Sequence, residues 1–138
     1  MIPKSKLSGK LKIQILAGGI SHERDISLKS ARRVTDALTE VGATVVLREP
    51  DENLLSNIKK DKPDVIWPVL HGASGEDGAL RDILALTGVP FVGAGPKAAR
   101  LAWDKTIAKI IVEQDGIQTP QSITLPKETF REDRKSVV

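Results

Sequence analysis

Short apolar runs alternate along the chain with stretches whose apolar residues recur every three or four positions. Residues 12–17 and 43–48 are two runs rich in β-branched residues, which is typical of strands. Between them lies one apolar helical stripe, made of Leu28, Ala31, Val34, Leu38 and Val41. Gly42 is placed to end that helix, and Asp25 or Ser27 is its candidate N-cap.

The same alternation continues beyond the second run. Residues 54–58 predict a short helix, residues 65–70 a third strand, and residues 79–87 a further helix that is closed by a glycine. Residues 89–92 are short and extended, and they predict a fourth strand.

The last part of the chain returns to helical spacing. A helix is expected after Pro96, and Asp104 is placed to cap a second helix and so divide this region in two. Residues 122–125 predict one more extended segment.

This order of elements determines the fold class that we expect. Strands that alternate with helices form βαβ units, in which the strands run parallel and helices cover both faces of the sheet. The chain of 138 residues is long enough for one such domain with a real core. We therefore predict a three-layer α/β/α sandwich with a mainly parallel sheet of about four strands.

Composition and charge exclude several classes of function. The sequence has no cysteine, so it has no disulfide, thiolate metal site or cysteine nucleophile. The net charge is +3, but the few aromatic side chains provide no stacking platform for single-stranded nucleic acid. The apolar runs are too short to span a bilayer, and residues 1–12 lack the core of a secretory signal. We expect no nucleic-acid or membrane partner and a cytoplasmic location.

One loop carries much of the candidate chemistry. Residues 71–78 read His-Gly-Ala-Ser-Gly-Glu-Asp-Gly and connect the third predicted strand to a helix. In open α/β sheets, ligands bind at the carboxyl ends of the strands, where such loops lie. The simpler interpretation is a helix entry at which Ser74, Glu76 or Asp77 caps the helix and His71 is satisfied locally.

A second loop of similar design follows the first predicted strand. Residues 18–25 read Gly-Gly-Ile-Ser-His-Glu-Arg-Asp. Because parallel strands end at one edge of the sheet, Glu23 and His71 are expected to face one small ligand. A carboxylate beside helix N-termini suits a zwitterion, since it holds an ammonium while N–H groups hold a carboxylate. Alternatively, Glu23 is a first-turn acid favoured by the helix dipole, and His22 lies on the surface.

Other site types are not supported by the spacing of the residues. Neither loop contains G-x-G-x-x-G, and no G-x-x-x-x-G-K-[ST] motif is present, so a dinucleotide site or a P-loop is not predicted. The two histidines have no cysteine partners and no metal-ligand spacing, so we expect no metal site.

Together these motifs resemble the N-terminal domain of D-alanine–D-alanine ligases, which belong to the ATP-grasp superfamily. The resemblance runs from about residue 12 to residue 120. Its markers are residues 18–30, residues 71–78, the run Gly-Val-Pro-Phe-Val-Gly at 88–93 and the Asp-Lys pair at 104–105.

The resemblance implies an ATP-dependent carbon–nitrogen ligase of peptidoglycan precursor synthesis. ATP and Mg²⁺ would activate the carboxylate of a first D-alanine as an acyl phosphate, which the amine of a second D-alanine attacks. It also implies a homodimer and a Rossmann-like pre-ATP-grasp fold. Residues 1–120 would form the N-terminal substrate domain, and residues 121–138 would begin the connection to a central ATP-grasp domain. ATP and Mg²⁺ would be bound mainly by domains that this sequence lacks, so we expect this chain to be inactive alone.

The resemblance also suggests roles for individual residues. Glu23 would hold the ammonium of the first D-alanine, with His71 as its neighbour, and these two are the candidate catalytic residues. Lys105 would contact a nucleotide phosphate; otherwise it is a solvated lysine after the cap Asp104. The substrate-binding set would comprise Gly18, Gly19, Ser21, Glu23, His71 and Gly72.

The sequence also departs from the family pattern. Arg81 and Asp82 stand where Gln-Gly is usual, Phe91 replaces a tyrosine, and Trp103 replaces a methionine. A ligase for another amino acid or a hydroxy acid therefore stays open. The alternative from a different class is a non-catalytic ligand-binding or dimerisation module derived from this domain. A nucleotide-binding oxidoreductase is the third hypothesis, and the glycine spacing argues against it.

Overall fold

A computed structural model describes residues 11–126. The elements alternate as the hydrophobic pattern predicts, with three strands and intervening helices. In chain order they are β1 (Lys12–Leu16), α1 (Arg24–Glu40), β2 (Thr44–Arg48), α2 (Leu54–Asp61), β3 (Val65–Pro68), α3 (Ala73–Glu76), α4 (Ala79–Leu86), α5 (Pro96–Trp103) and α6 (Lys105–Gln114).

The strands form one parallel sheet in the order β2-β1-β3. Ile13 of β1 pairs with Val45 of β2 on one side and with Val65 of β3 on the other. The parallel direction and the helical crossovers confirm the predicted α/β class.

The predicted strand count of four is wrong for the described residues, where the sheet has three strands. The run at 89–92 makes only a single bridge, in which Ile66 N–H donates to Pro90 O and Val92 N–H donates to Ile66 O, each at 2.9 Å. Pro90 has no N–H to offer a longer ladder. Residues 122–125 form no strand either; Ser122 instead bonds to Lys109 of α6 at 2.7 Å.

Helices cover both faces of the sheet. On one face, Ile13, Ile15 and Ala17 pack with Ala31 of α1 and with Ala43. On the other face lies a second cluster that joins β1 and β3 to α2 and α4, made of Leu16, Leu54, Ile58, Ile66, Leu70, Leu80 and Leu84. Alternate residues of β1 enter opposite cores, because successive side chains of a strand point to opposite faces.

Two polar features lie within or beside this second core. Gln14 of β1 is fully buried, and neither polar atom of its side chain has a hydrogen-bond partner within residues 11–126. Arg48 forms a two-bond ion pair with the nearly buried Asp61, with Nε–Oδ2 at 2.8 Å and Nη2–Oδ1 at 3.0 Å. The hydrogen bond from Arg48 lowers the pKa of Asp61 against the opposing effect of burial, and the same pairing raises the pKa of Arg48.

The helix ends agree only in part with the predicted capping. Asp104 caps α6, since its Oδ1 accepts from Thr106 N–H at 2.9 Å and from Ile107 N–H at 3.1 Å. The prediction that Asp25 or Ser27 caps α1 is wrong: the helix begins at Arg24, and Ser27 lies within its first turn.

The chain divides into two compact units, one ending at Trp103 and the other beginning at Asp104. The sheet, both cores and the two loops belong to the first unit, whereas α6 and the segment that follows it belong to the second. Within residues 11–126 there is no helix with the length and apolar character needed to cross a membrane.

Candidate functional site

The first loop of the candidate site leaves β1 through two glycines in the left-handed region. Gly18 has φ +90° and Gly19 has φ +74°, a conformation that glycine adopts without the steric cost of a side chain. A β-carbon on Gly18 would lie 3.0 Å from Oε2 of Glu49, which follows β2, so the backbone passes close beneath that side chain. Arg24, at the start of α1, forms an ion pair with the same Glu49.

The second loop contains a short helix that the sequence pattern did not predict. Residues 71–78 include α3, and Glu76 at its end folds back over the start of the loop. Glu76 Oε2 accepts from Gly72 N–H at 3.2 Å, and its Oε1 lies 3.7 Å from His71 Nδ1. Glu76 therefore holds the start of its own loop, whereas Asp77 Oδ1 accepts from Ala79 N–H, the first residue of α4, at 2.8 Å.

The two loops meet at Gly72. A β-carbon on Gly72 would lie 2.9 Å from Glu23 Oε2 and 2.9 Å from Ser21 Oγ. Ser21 Oγ also accepts a hydrogen bond from the backbone N–H of Glu23 at 3.1 Å, which holds the Ser21 side chain against the first loop. Residues distant in sequence are thus brought side by side at the carboxyl edge of the sheet.

His71 adds a ring nitrogen without a protein partner. Its side chain is about one-third exposed, yet Nε2 itself is buried and has no hydrogen-bond partner within residues 11–126. An imidazole nitrogen can donate or accept one hydrogen bond, and the protein leaves this capacity of Nε2 unused among the described residues. His22, by contrast, is exposed.

Lys105 and Asp104 begin the second compact unit. Lys105 is the first residue of α6 and is exposed, and Asp104 uses its carboxylate to cap the helix. The structure therefore assigns Asp104 a structural role and leaves the lysine ammonium accessible.

Arg81 and Asp82, the two residues of α4 that differ from the family pattern, connect this helix to its neighbours. Arg81 reaches the segment before α5, and Asp82 reaches α5 itself. Arg81 Nη1 donates to Ala94 O at 3.1 Å and lies against Gly93, while Asp82 forms an ion pair with Arg100. Arg81 therefore holds the backbone before α5, and Asp82 holds a side chain of α5.

Residues 11–126 also bear on metal binding. That part of the chain contains no group of three or more histidine, cysteine, aspartate or glutamate side chains that could hold a metal ion. The candidate site is therefore one of carboxylate, imidazole and backbone groups.

Comparison with known proteins gives a consistent result. Residues 47–94 match a family model described as the D-ala D-ala ligase N-terminus. A D-alanine–D-alanine ligase of Pelagibacter ubique is 46% identical over 112 residues, which is 81% of this chain and 37% of the relative. One from Lawsonia intracellularis is 41% identical, over 84% of this chain and 39% of the relative. The chain resembles the N-terminal domain of D-alanine–D-alanine ligases.

Solved structures support the same resemblance. A D-alanine–D-alanine ligase from Bacillus anthracis, solved complexed with ATP, superposes with a TM-score of 0.71 at 28% identity, covering 85% of this chain and 41% of that one. The ligase from Aeromonas hydrophila gives a TM-score of 0.73 at 25% identity, covering 86% of this chain and 51% of that one. The chain thus spans a little over a third of the length of the curated ligases it matches.

Proposed function

We propose that this chain provides the first-D-alanine subsite of a D-alanine–D-alanine ligase. The observation that carries the proposal is the meeting of Glu23 and Ser21 with the backbone of Gly72 at the carboxyl edge of the sheet. It combines with the resemblance to ligases that are named for D-alanine.

The chemistry of the two loops suits a small zwitterion. In this proposal the Glu23 carboxylate holds the substrate ammonium, because a charged donor and a charged acceptor form a strong hydrogen bond. His71, in the second loop next to Gly72, is the neighbour of Glu23 in the proposed subsite, and its Nε2 has no protein partner within the described residues. The glycines at 18, 19 and 72 let the backbone approach the ligand, and Ser21 supports Glu23.

The full reaction requires more than these residues. ATP and Mg²⁺ supply the phosphoryl transfer that activates the first D-alanine as an acyl phosphate, before the second D-alanine attacks. Such chemistry depends on positioned charge around the transferring group. In this proposal Lys105 contacts a nucleotide phosphate, and ATP and Mg²⁺ would be bound mainly by other domains of the ligase, as the resemblance implies.

The remaining features of the proposal follow from the same resemblance. The ligase acts in the cytoplasm as a homodimer and contributes D-alanyl-D-alanine to peptidoglycan precursor synthesis. Residues 1–120 serve as its substrate domain, and residues 121–138 lead toward the ATP-grasp domain. Neither nucleic acid nor a membrane is a partner.

The experiment uses a protein expressed from the whole reading frame that contains this sequence. ADP release is followed with ATP and Mg²⁺ in the presence of D-alanine, L-alanine or no amino acid. The proposal predicts release that depends on D-alanine. If release is absent or independent of any amino acid, the ligase function is wrong, and a non-catalytic binding or dimerisation module becomes the better explanation.

A further inference from the structure

Ser27 connects the two loops of the candidate site through one hydroxyl group. It lies in the first turn of α1 and is 1% exposed. Its Oγ accepts a hydrogen bond from Gly18 N–H at 2.9 Å, in the first loop. The same hydroxyl donates to Val69 O, two residues before His71 in the second loop. Its proton and a lone pair are therefore both used, on partners that belong to different loops.

The position of this hydroxyl in the sheet explains its effect. β1 and β3 remain paired up to the hydrogen bond from Val69 N–H to Leu16 O, at 2.8 Å. In a regular parallel ladder, the next bond would run from Gly18 N–H to Val69 O. Here Ser27 Oγ is inserted between those two groups. The segments that follow β1 and β3 are thus separated by the width of a hydroxyl group at the point where the loops begin.

Ser27 also holds the start of α1, where Glu23 lies. Its own N–H donates to Glu23 O at 3.0 Å, which is the first hydrogen bond of the helix. One residue therefore contacts the backbone of Gly18, Glu23 and Val69.

We propose that Ser27 is the positioning residue of this subsite. Its inserted hydroxyl sets the separation at which Glu23 faces Gly72. The inference rests on the proposed function for its catalytic consequence, whereas the coupling of the two loops stands on the hydrogen bonds alone. If Oγ is removed, one of two changes follows. Gly18 N–H and Val69 O are left without a hydrogen-bond partner inside the protein, or they move together and bond directly to each other. Both outcomes change the spacing of the loops.

The first test measures that spacing in the 138-residue chain and needs no activity. ¹H–¹⁵N NMR spectra of Ser27→Ala are compared with those of Ser30→Ala, the same substitution one turn later in α1. We expect the amide signals of Gly18 and Gly72 to shift in the first variant and to stay in place in the second. An unchanged Gly72 signal in Ser27→Ala would overturn the proposal. Ser27→Thr keeps the hydroxyl and serves as the second variant, with a Gly72 signal expected near that of the wild type.

The second test measures catalysis in the protein from the whole reading frame. Ser27→Ala should raise KM for D-alanine about tenfold, as expected for the loss of a buried hydrogen-bonding group, with kcat little changed. If Ser27→Ala is less stable than the wild type but has the same KM for D-alanine, Ser27 has a purely structural role, and the proposal is wrong. If the wild type shows no D-alanine dependence while the Gly72 signal still responds to Ser27→Ala, the ligase function fails and the coupling of the loops remains.

Discussion

Glu23 Oε2 lies 2.9 Å from the point that a β-carbon would occupy on Gly72. This approach joins the loop after β1 to the loop after β3. It makes the absence of a side chain at position 72 a requirement of the site, because any larger residue would displace the carboxylate. The relationship links the fold, which aligns the two loops, to the proposed binding of a small zwitterion.

Substitution of Gly72 by alanine tests that requirement. Gly72 has φ +75° and ψ −173°, a region that is essentially restricted to glycine, so the variant should lose about 1–3 kcal/mol of unfolding free energy. It should also raise KM for D-alanine. Gly88→Ala is the matched control, since Gly88 has φ +70° but no atom near the added carbon. The control should lose stability and keep its KM; a similar KM in both variants would argue against the contact.

The Arg48–Asp61 pair predicts a specific dependence of stability on pH. Asp61 has a lowered pKa in the folded protein, so its contribution is fully present above the ordinary aspartate pKa and is lost as pH falls through the folded value. Asp61→Asn should cost about 1–2 kcal/mol at pH 7, and the deficit should shrink in acid. Urea unfolding at several pH values measures this, with the exposed Asp36→Asn as the control. A deficit that is constant with pH would contradict the assignment.

Gln14 predicts a gain in stability when its amide is removed. A buried polar group without a partner costs about 1–3 kcal/mol, and methionine has nearly the shape of glutamine. Gln14→Met should therefore raise the unfolding free energy by about 1 kcal/mol and leave the fold intact. Thermal unfolding beside the exposed Gln118→Met provides the comparison. A loss of stability at position 14 alone would mean that the buried amide is satisfied in solution.

Asp104 predicts a local effect at the start of α6. Asp104→Ala removes the acceptor for two backbone N–H groups and should cost about 0.5–2 kcal/mol of helix stability. Hydrogen exchange should accelerate at Thr106 and Ile107. Asp104→Asn retains an acceptor oxygen and should preserve most of the protection, and equal exchange in all three proteins would exclude the cap.

Much of the fold can be predicted from the sequence because the periodicity is strong. The stripe of α1, the runs of the three strands and the end of α1 at Gly42 all appear where the pattern places them. The prediction of a fourth strand at residues 89–92 is wrong because a short extended run does not indicate how many hydrogen bonds it makes with the sheet. Pro90 reduces the ladder there to one bridge.

The site is harder to predict than the fold, and Ser27 shows why. Its position suggests a cap, but Ser27, Ala31 and Val34 recur at helical spacing, which places the serine on the buried stripe. A polar residue on such a stripe must find partners inside the protein. One of its partners, Val69, follows β3 and is distant in sequence, so the sequence signals the burial but not this partner.

The proposed role of Glu23 in the first-D-alanine subsite is tested by D-alanine-dependent ADP release in Glu23→Gln, made in the protein from the whole reading frame. Glu52→Gln is the matched control, because Glu52 is an exposed glutamate in the turn before α2. We expect release to be lost in Glu23→Gln and unchanged in Glu52→Gln. Release at the wild-type rate in Glu23→Gln, or an equal loss in both variants, would contradict it.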